Sequence, residues 1–381
     1  MTRCIAHPLL VLALAAGAAQ AQSPGAWNFG AVLDVTATSR ALAQGSRDQG
    51  LQLGHSDLTA SGPLGPALRA MATASFATHE GRLEKHLEEA WIETTSLPAG
   101  LQLRAGRFAP QVGQLNAQHP HADDFVERPL LHRAFLGGHW TDDGLRLNWT
   151  APTPVFLMLG VEALRGRKLV PEAVENRRSP GVTTAVLKLG SDIGRSHSWQ
   201  AGLSFIHNRR EAVVEEEHEE HEHGEEEGHE HAHEHGHAAA FSGRRTWMLD
   251  GTWKWAPDGN NRGQQLRVGF ELARISGINR FAASSDRHRA RAVSVVWRFD
   301  PAWEAGVRAD WLDVRMPHED HFHDGRLREQ SLMLAWKPSH MQTVRLQYTR
   351  QRDGTGFEDL SRRTLQLQVV LAFGAHGAHS F

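Results

Sequence analysis

The stretch LQLQVVLAF, residues 365–373, puts Leu365, Leu367, Val369, Leu371 and Phe373 on one face of an extended chain and Gln366 and Gln368 on the other. Successive side chains of a strand point to opposite faces, so this spacing marks a strand with one apolar and one polar face. The pattern recurs in GLRLNW (144–149), QLRVGFELA (265–273), WEAGVRADW (303–311) and TVRLQYTR (343–350). About sixteen such segments follow one another, with lengths near the ~9–11 residues that a tilted strand needs to cross a bilayer.

The connections between them alternate in length. LPAG (97–100), APTP (151–154), APDGNNRG (256–263), DP (300–301) and KPSH (337–340) are short and rich in Pro and Gly. Longer polar stretches lie around 40–50, 110–141, 166–180, 211–244, 276–287 and 316–326. Short turns on one side and long loops on the other are the pattern of an outer-membrane barrel, with the short turns periplasmic. Tryptophan supports this arrangement. Trp27, Trp199 and Trp303 open strands leaving the short-turn side, and Trp149, Trp255, Trp297 and Trp336 close strands returning to it. Seven of the 12 tryptophans thus fall at one level, as an interfacial girdle requires. The predicted fold is all-β: a transmembrane antiparallel β-barrel of about 16 strands over 22–381.

The N-terminus reads MTRCIAHPLLVLALAAGAAQAQ, with Arg3, an apolar run Leu9–Ala19 and Ala19-Gln20-Ala21 as a small-residue cleavage site. The run is too short to span a bilayer and predicts a secretory signal over 1–21. Cys4, the sole cysteine, leaves with it, which excludes disulfides and cysteine metal ligands in the mature chain.

Parity places strand nine outward and strand ten back, so the segment between them, 211–244, is an extracellular loop. Within it, Glu215–His237 holds eight histidines and eleven glutamates and no Lys or Arg. The rest of the mature chain is basic, 40 Lys and Arg against 33 Asp and Glu. Such a tract does not fold by itself, and it is expected to be disordered. His218, His221, His223, His229, His231, His233, His235 and His237 supply overlapping sets of imidazoles, with Glu as additional ligands. Imidazole and carboxylate suit Zn²⁺, and imidazole also suits Cu²⁺ and Ni²⁺. His229-Glu230-His231-Ala232-His233 matches the H-E-x-x-H protease signature, but in a His/Glu tract that match arises by composition. No enzymatic activity is expected. Two further clusters point to metal: His318, Asp320, His321, His323 and Asp324 in MPHEDHFHDG, and His119, His121, Asp123 and Asp124 in HPHADD. The predicted pore lining is Arg104, Arg146, Lys254, Arg267, Arg298, Arg308 and Arg345 against Asp250, Glu271, Glu304 and Asp310.

The run LEEAWIETTSLPAGLQLRAGRFAPQVGQLNAQHPHADDFVERP (87–129), followed by DDGLRLNWTAPTP (142–154), resembles bacterial outer-membrane porins of the phosphate-selective porin O and P type. It resembles more closely their relatives with His-rich loops associated with zinc supply. The resemblance implies a barrel whose third loop, 110–141, folds into the lumen. The lysines of an anion-selective constriction are absent from NAQHPHADDFVERPLLHR (116–133). The expected function is a passive channel for small solutes, zinc or a zinc complex captured by the His-rich loops. The alternative is a general or anion-selective porin whose acidic loop is a surface shield or metal buffer. Zn²⁺ is expected as a bound or transported ion, and no cofactor is required. The expected partners are outer-membrane lipid and lipopolysaccharide, the barrel-assembly machinery through the terminal Phe381, and two further copies in a homotrimer. Nucleic acid is not expected.

Overall fold

A computed structural model describes residues 26–166, 169, 180–210, 239–279, 281–318, 321–355 and 362–374. The segment expected to be a signal (1–21), the His/Glu tract with all eight of its histidines, Asp320, the side chain of His318, and Phe381 lie outside the described residues.

Seventeen strand segments form one closed antiparallel sheet. They are β1 (Asn28–Thr38), β2 (Gly50–Leu53), β3 (Ser56–Pro63), β4 (Leu68–His79), β5 (Arg82–Thr94), β6 (Leu101–Phe108), β7 (Asp142–Thr150), β8 (Phe156–Leu164) and β9 (Val182–Ile193). The series continues with β10 (His197–Asn208), β11 (Arg245–Trp255), β12 (Gln265–Ser276), β13 (Arg287–Asp300), β14 (Trp303–His318), β15 (His321–Ser339), β16 (Gln342–Thr355) and β17 (Arg362–Gly374). Both β2 and β3 pair with β1, so they are two halves of one crossing strand, and the wall has the expected 16 strands. Pairing of β1 with β17, from Gly30↔Gly374 to Thr38↔Gln366, closes the barrel.

The alternation has the sense of a membrane barrel. On β17, Leu365 and Leu367 are exposed while Gln366 and Gln368 are buried. The same inversion holds for Leu145 and Leu147 against Arg146 and Asn148, and for Leu332 and Leu334 against Ser331 and Met333. Water would not tolerate a continuous exposed belt of Leu, Val and Phe on this scale, but hydrocarbon does. Trp297, Trp303 and Trp336 are exposed near the short-turn ends of their strands, and Trp303 faces Trp336 across the β14–β15 pair.

One expectation about loops needs correction. The polar stretch 316–326 is not a long loop. β14 and β15 extend through it, pairing His318 with His321, so the two strands form a protruding hairpin. Regular alternation begins at Asp324 and Gly325, and cross-strand pairing carries the strands further, outweighing the polarity of the segment.

Candidate functional site

The third loop, 109–141, carries the one described α-helix, α1 (Leu130–Leu136), and all seven of its residues are buried. Gly137 ends it in the left-handed conformation that favours glycine, and the Gly138 N–H donates to the His132 carbonyl. Leu130, Leu131 and Phe135 pack with Phe108, Val112 and Trp140 against inward-facing apolar side chains such as Met248, Ile275 and Leu312. Burying each large apolar side chain stabilises the packed loop by about 1.5–3 kcal/mol. The connection therefore lies inside the barrel.

Polar contacts pin it to the wall. Arg133 pairs with Glu329 on β15, and His132 Nε2 lies 2.7 Å from Glu271 on β12. The Leu130 N–H donates to Asp310 on β14 at 3.2 Å. Arg308 reaches the Glu127 carbonyl at 2.6 Å and Asp310 at 2.7 Å.

The residues expected to line the lumen face the interior, where they are engaged in contacts with one another and with the loop. Arg104 pairs with Glu93 at 2.7 Å and lies over the Trp91 ring. Arg146 pairs with Glu162 at 2.6 Å and donates to the Ala109 carbonyl at 2.5 Å. Arg345 donates to Gln368 and to the Asp123 carbonyl. Asp250 is buried with Oδ2 lacking a hydrogen-bond partner. Glu304 is surrounded by Arg298 at 2.5 Å, Lys337 at 2.7 Å and Arg267 at 3.5 Å. Arg267, Arg298, Lys337 and Arg345, with Lys254 and Arg262, border a cavity of about 980 Å³ between the loop and the short-turn side. Six Lys and Arg line it against one acid, Asp124.

The expected grouping of His119 and His121 with Asp123 and Asp124 does not form. Arg128 holds Asp123 at 2.7 Å and Gln118 donates to it at 2.6 Å, while Arg267 holds Asp124 at 2.5 Å. The guanidinium groups draw both carboxylates away from the imidazoles. The histidines meet a different set: His55, Asp57, Glu88, Glu89 and His139.

Two irregularities in the wall assemble that set. Between β2 and β3 the ladder breaks at Gly54 and His55. A Cβ on Gly54 would overlap Arg47 Nη1 and Asp34 Oδ2, so only glycine fits beside this buried ion pair. Past the break, Ser56 and Asp57 are both buried, where strict alternation would turn one of them outward. On β5 the register against β4 runs from Thr73↔Glu89 to Ala74↔Leu87. Glu88 is the extra residue of a β-bulge, and Glu88 and Glu89 are both buried as a result.

His119 bridges two carboxylates, with Nδ1 3.0 Å from Asp57 and Nε2 3.1 Å from Glu89. His121 Nδ1 lies 3.2 Å from Asp57 without an aligned hydrogen bond. His55 Nε2 stands 3.1 Å from Glu88, and His139 Nδ1 2.5 Å from the other oxygen of the same carboxylate. Burial pulls the His119 imidazole down, but Glu88, Asp57 and Glu89 together outweigh it and hold this group well above the usual histidine value. Burial lowers His121, against the pull of Asp57, and lowers His139 to about 4 in spite of Glu88. His55, Asp57, His119 and His121 present ligating atoms within 4.8 Å of one another, and His55, Glu88 and His139 form a second overlapping set. Sequence reading missed His55, Asp57, Glu88, Glu89 and His139, because they come from three distant segments and depend on two breaks in alternation.

At the β14–β15 hairpin, Asp324 is exposed and pairs with Arg315 at 2.6 Å and Arg326 at 3.4 Å. His321 and His323 stand on the same strand beside it.

No family model matches the chain. It is 27% identical over 358 residues to an uncharacterised protein of Aquifex aeolicus (strain VF5), covering 87% of this chain and 70% of that one. Among solved structures it is similar to Pseudomonas putida OprB at high pH (TM-score 0.60, 11% identity, 92% and 94% of the two chains covered). It is also similar to the trimer form of Vibrio cholerae OmpT, an outer membrane protein (TM-score 0.55, 8% identity, 92% and 100% covered). A third similar structure is an anion-selective porin from Comamonas acidovorans (TM-score 0.53, 10% identity, 92% and 100% covered). The closed wall, the lipid-facing belt, the inward third loop and these likenesses agree: the chain is a 16-stranded transmembrane β-barrel with the fold of the outer-membrane porins.

Proposed function

We propose that the protein is a passive outer-membrane channel for small solutes, among them zinc or a zinc complex gathered by its His-rich extracellular loops. The observation that carries the channel reading is the closed barrel with a polar cavity of about 980 Å³ on its short-turn side. The zinc reading rests on the eight histidines and eleven glutamates of Glu215–His237 and on the second group at His318, His321, His323 and Asp324. Exchangeable ligands at the mouth raise the local metal concentration, and diffusion carries the solute down its gradient. The excess of Lys and Arg around the inner cavity repels a bare dication and favours anions. Zinc complexed by an anionic chelator is accordingly the better cargo.

The test is flux into liposomes holding a zinc-sensitive dye. Zinc citrate is expected to enter protein-containing vesicles faster than free Zn²⁺, and both faster than protein-free vesicles. Entry no faster than in protein-free vesicles overturns the channel. Removing residues 215–237 separates the two roles of the loop. Slower entry at low external zinc supports capture, and unchanged entry makes the loop a shield or buffer. We also propose a homotrimer in outer-membrane lipid and lipopolysaccharide, an assembly supported by the trimer form of Vibrio cholerae OmpT. Cross-linking in mild detergent is expected to yield a three-chain species, and a single-chain band alone overturns it.

A further inference from the structure

The geometry points to a divalent-cation site inside the barrel: His55, Asp57, His119 and His121 form a four-ligand Zn²⁺ set, with Glu88, Glu89 and His139 around it. This deepens the channel reading by naming a place along the lumen where a metal is held. It rests on that reading for its meaning in transport, but not for the binding itself.

Charge is the first argument. Most acids inside the barrel are matched by a guanidinium or ammonium, as Asp34 is by Arg47, Glu93 by Arg104, Glu162 by Arg146 and Glu329 by Arg133. Asp57, Glu88 and Glu89 are buried to the same degree, yet their ion-pair partners are histidines. Three buried carboxylates whose ion-pair partners are all imidazoles, with only the Trp91 indole N–H donating to Glu89 besides, need positive charge from elsewhere, either a proton or a metal.

Spacing is the second. A tetrahedral Zn²⁺ with ligands at ~2.0–2.1 Å keeps its donor atoms roughly 3.3 Å apart. The distances of 3.0 Å from Asp57 to His119 and 3.2 Å from Asp57 to His121 already match. The remaining donors lie within 4.8 Å, so closing the set needs side-chain rotation rather than movement of the wall. The donor set, three imidazoles and a carboxylate, is the chemistry of zinc rather than of calcium or magnesium, which take oxygen ligands.

The third is an orphaned donor. His139 is more than nine-tenths buried and its Nε2 has no hydrogen-bond partner, although Nδ1 is held by Glu88. A buried nitrogen left open on a ring that Glu88 holds suits a metal or a metal-bound water. Two breaks in the ladder, at Gly54–His55 and at Glu88, bring this set together, and such bulges commonly re-aim side chains at functional sites. Access is from the inner cavity, which His121, Gln118 and Ala122 line.

The test uses the full-length barrel folded in detergent, with Zn²⁺ alone as the probe. In crystals soaked in zinc chloride and measured at the zinc absorption edge, an anomalous peak is expected between His55, Asp57, His119 and His121. Zinc retained after gel filtration is the second readout. Wild type is expected to keep one slowly released ion at this site. His55→Ala with His121→Ala should weaken it by more than the roughly 10–100-fold that loss of a mere outer-shell partner costs. Replacing the eight histidines of 218–237 by alanine should leave it in place. Heat-modifiable migration on a gel reports folding of each variant, and the wild-type crystal decides the matter if the double variant does not fold. No anomalous peak in the cluster, or equal retention by the double variant, overturns the site. Conductance in planar bilayers is scored separately. A metal at the cluster in a non-conducting barrel sinks the channel and keeps the site, and conductance without the peak does the reverse.

Discussion

Gly54 shows how much a single residue can carry here. Its Cα sits where any side chain would overlap the buried Arg47–Asp34 pair, and its N–H donates to the Asp34 carbonyl at 2.7 Å. Breaking a buried pair on one side costs ~3–5 kcal/mol, so Gly54→Ala is expected to lose a comparable amount of stability. Urea unfolding in detergent followed by tryptophan fluorescence measures it; an unchanged midpoint would show that the pair moves aside freely. At the opposite extreme are the histidines of Glu215–His237, which the low-complexity sequence leads us to expect to titrate individually. Free His titrates near ~6.5 and Glu near ~4.3, so at pH 7.5 the imidazoles are neutral ligands amid carboxylates. Near pH 5.5 most of them are cationic, and ligation requires the neutral form. Calorimetric titration of a 211–244 peptide should show zinc affinity falling steeply between pH 7.5 and 5.5. Equal affinity at both would mean that glutamates alone hold the metal.

The elements that decide the lumen are α1 and the bulge of β5. All seven residues of α1 are buried, and Arg133 holds the helix to Glu329 across the barrel. Arg133→Ala strands the Glu329 carboxylate in the interior, so the third loop should loosen rather than the wall unfold. The expected outcome is a folded, heat-modifiable barrel with larger and noisier single-channel conductance. A conductance identical to wild type would indicate that α1 is held by its apolar packing alone. The end of the fifth extracellular loop is tied to the same helix, since the Phe241 N–H donates to the Ala134 carbonyl at 2.9 Å. The β5 bulge permits a cleaner experiment. Deleting Glu88 leaves Leu87 opposite Ala74 and Glu89 opposite Thr73, so the register survives on both sides. Stability close to wild type is expected, and failure to fold would show that the bulge is required for closure.

For the whole molecule, the distribution of charge matters more than any one pair. The connection between β10 and β11 carries the acidic tract in sequence, while the cavity on the short-turn side is lined by Lys254, Arg262, Arg267, Arg298, Lys337 and Arg345. A basic ring favours anions. In a potassium chloride gradient the reversal potential is expected to have the sign of chloride preference. Arg298→Gln with Lys337→Gln should shift it toward zero. Because surface and lumen charges are screened within a Debye length of ~3 Å at 1 M salt, the preference should weaken as ionic strength rises. A cation-preferring channel in dilute salt would show that the acidic mouth, and not the inner cavity, governs selectivity.

The local chemistry of the strands was enough to specify the barrel. Period-two alternation, such as Leu365 and Leu367 against Gln366 and Gln368, is a property of neighbouring residues, and lipid outside with water inside reads it directly. The inner wall, with Arg146, Arg308 and Arg345 facing inward, was legible for the same reason. The His–acid cluster was not. HPHADD places His119 and His121 next to Asp123 and Asp124, but two arginines claim those aspartates and leave the imidazoles to Asp57, Glu88 and Glu89. Which acid meets which base depends on where the folded loop sets each group against the wall. A β-bulge changes the face of a residue without leaving a signature in the alternation around it. Contacts between neighbours in sequence decided the architecture, while long-range competition for partners in a confined, poorly hydrated interior decided the site.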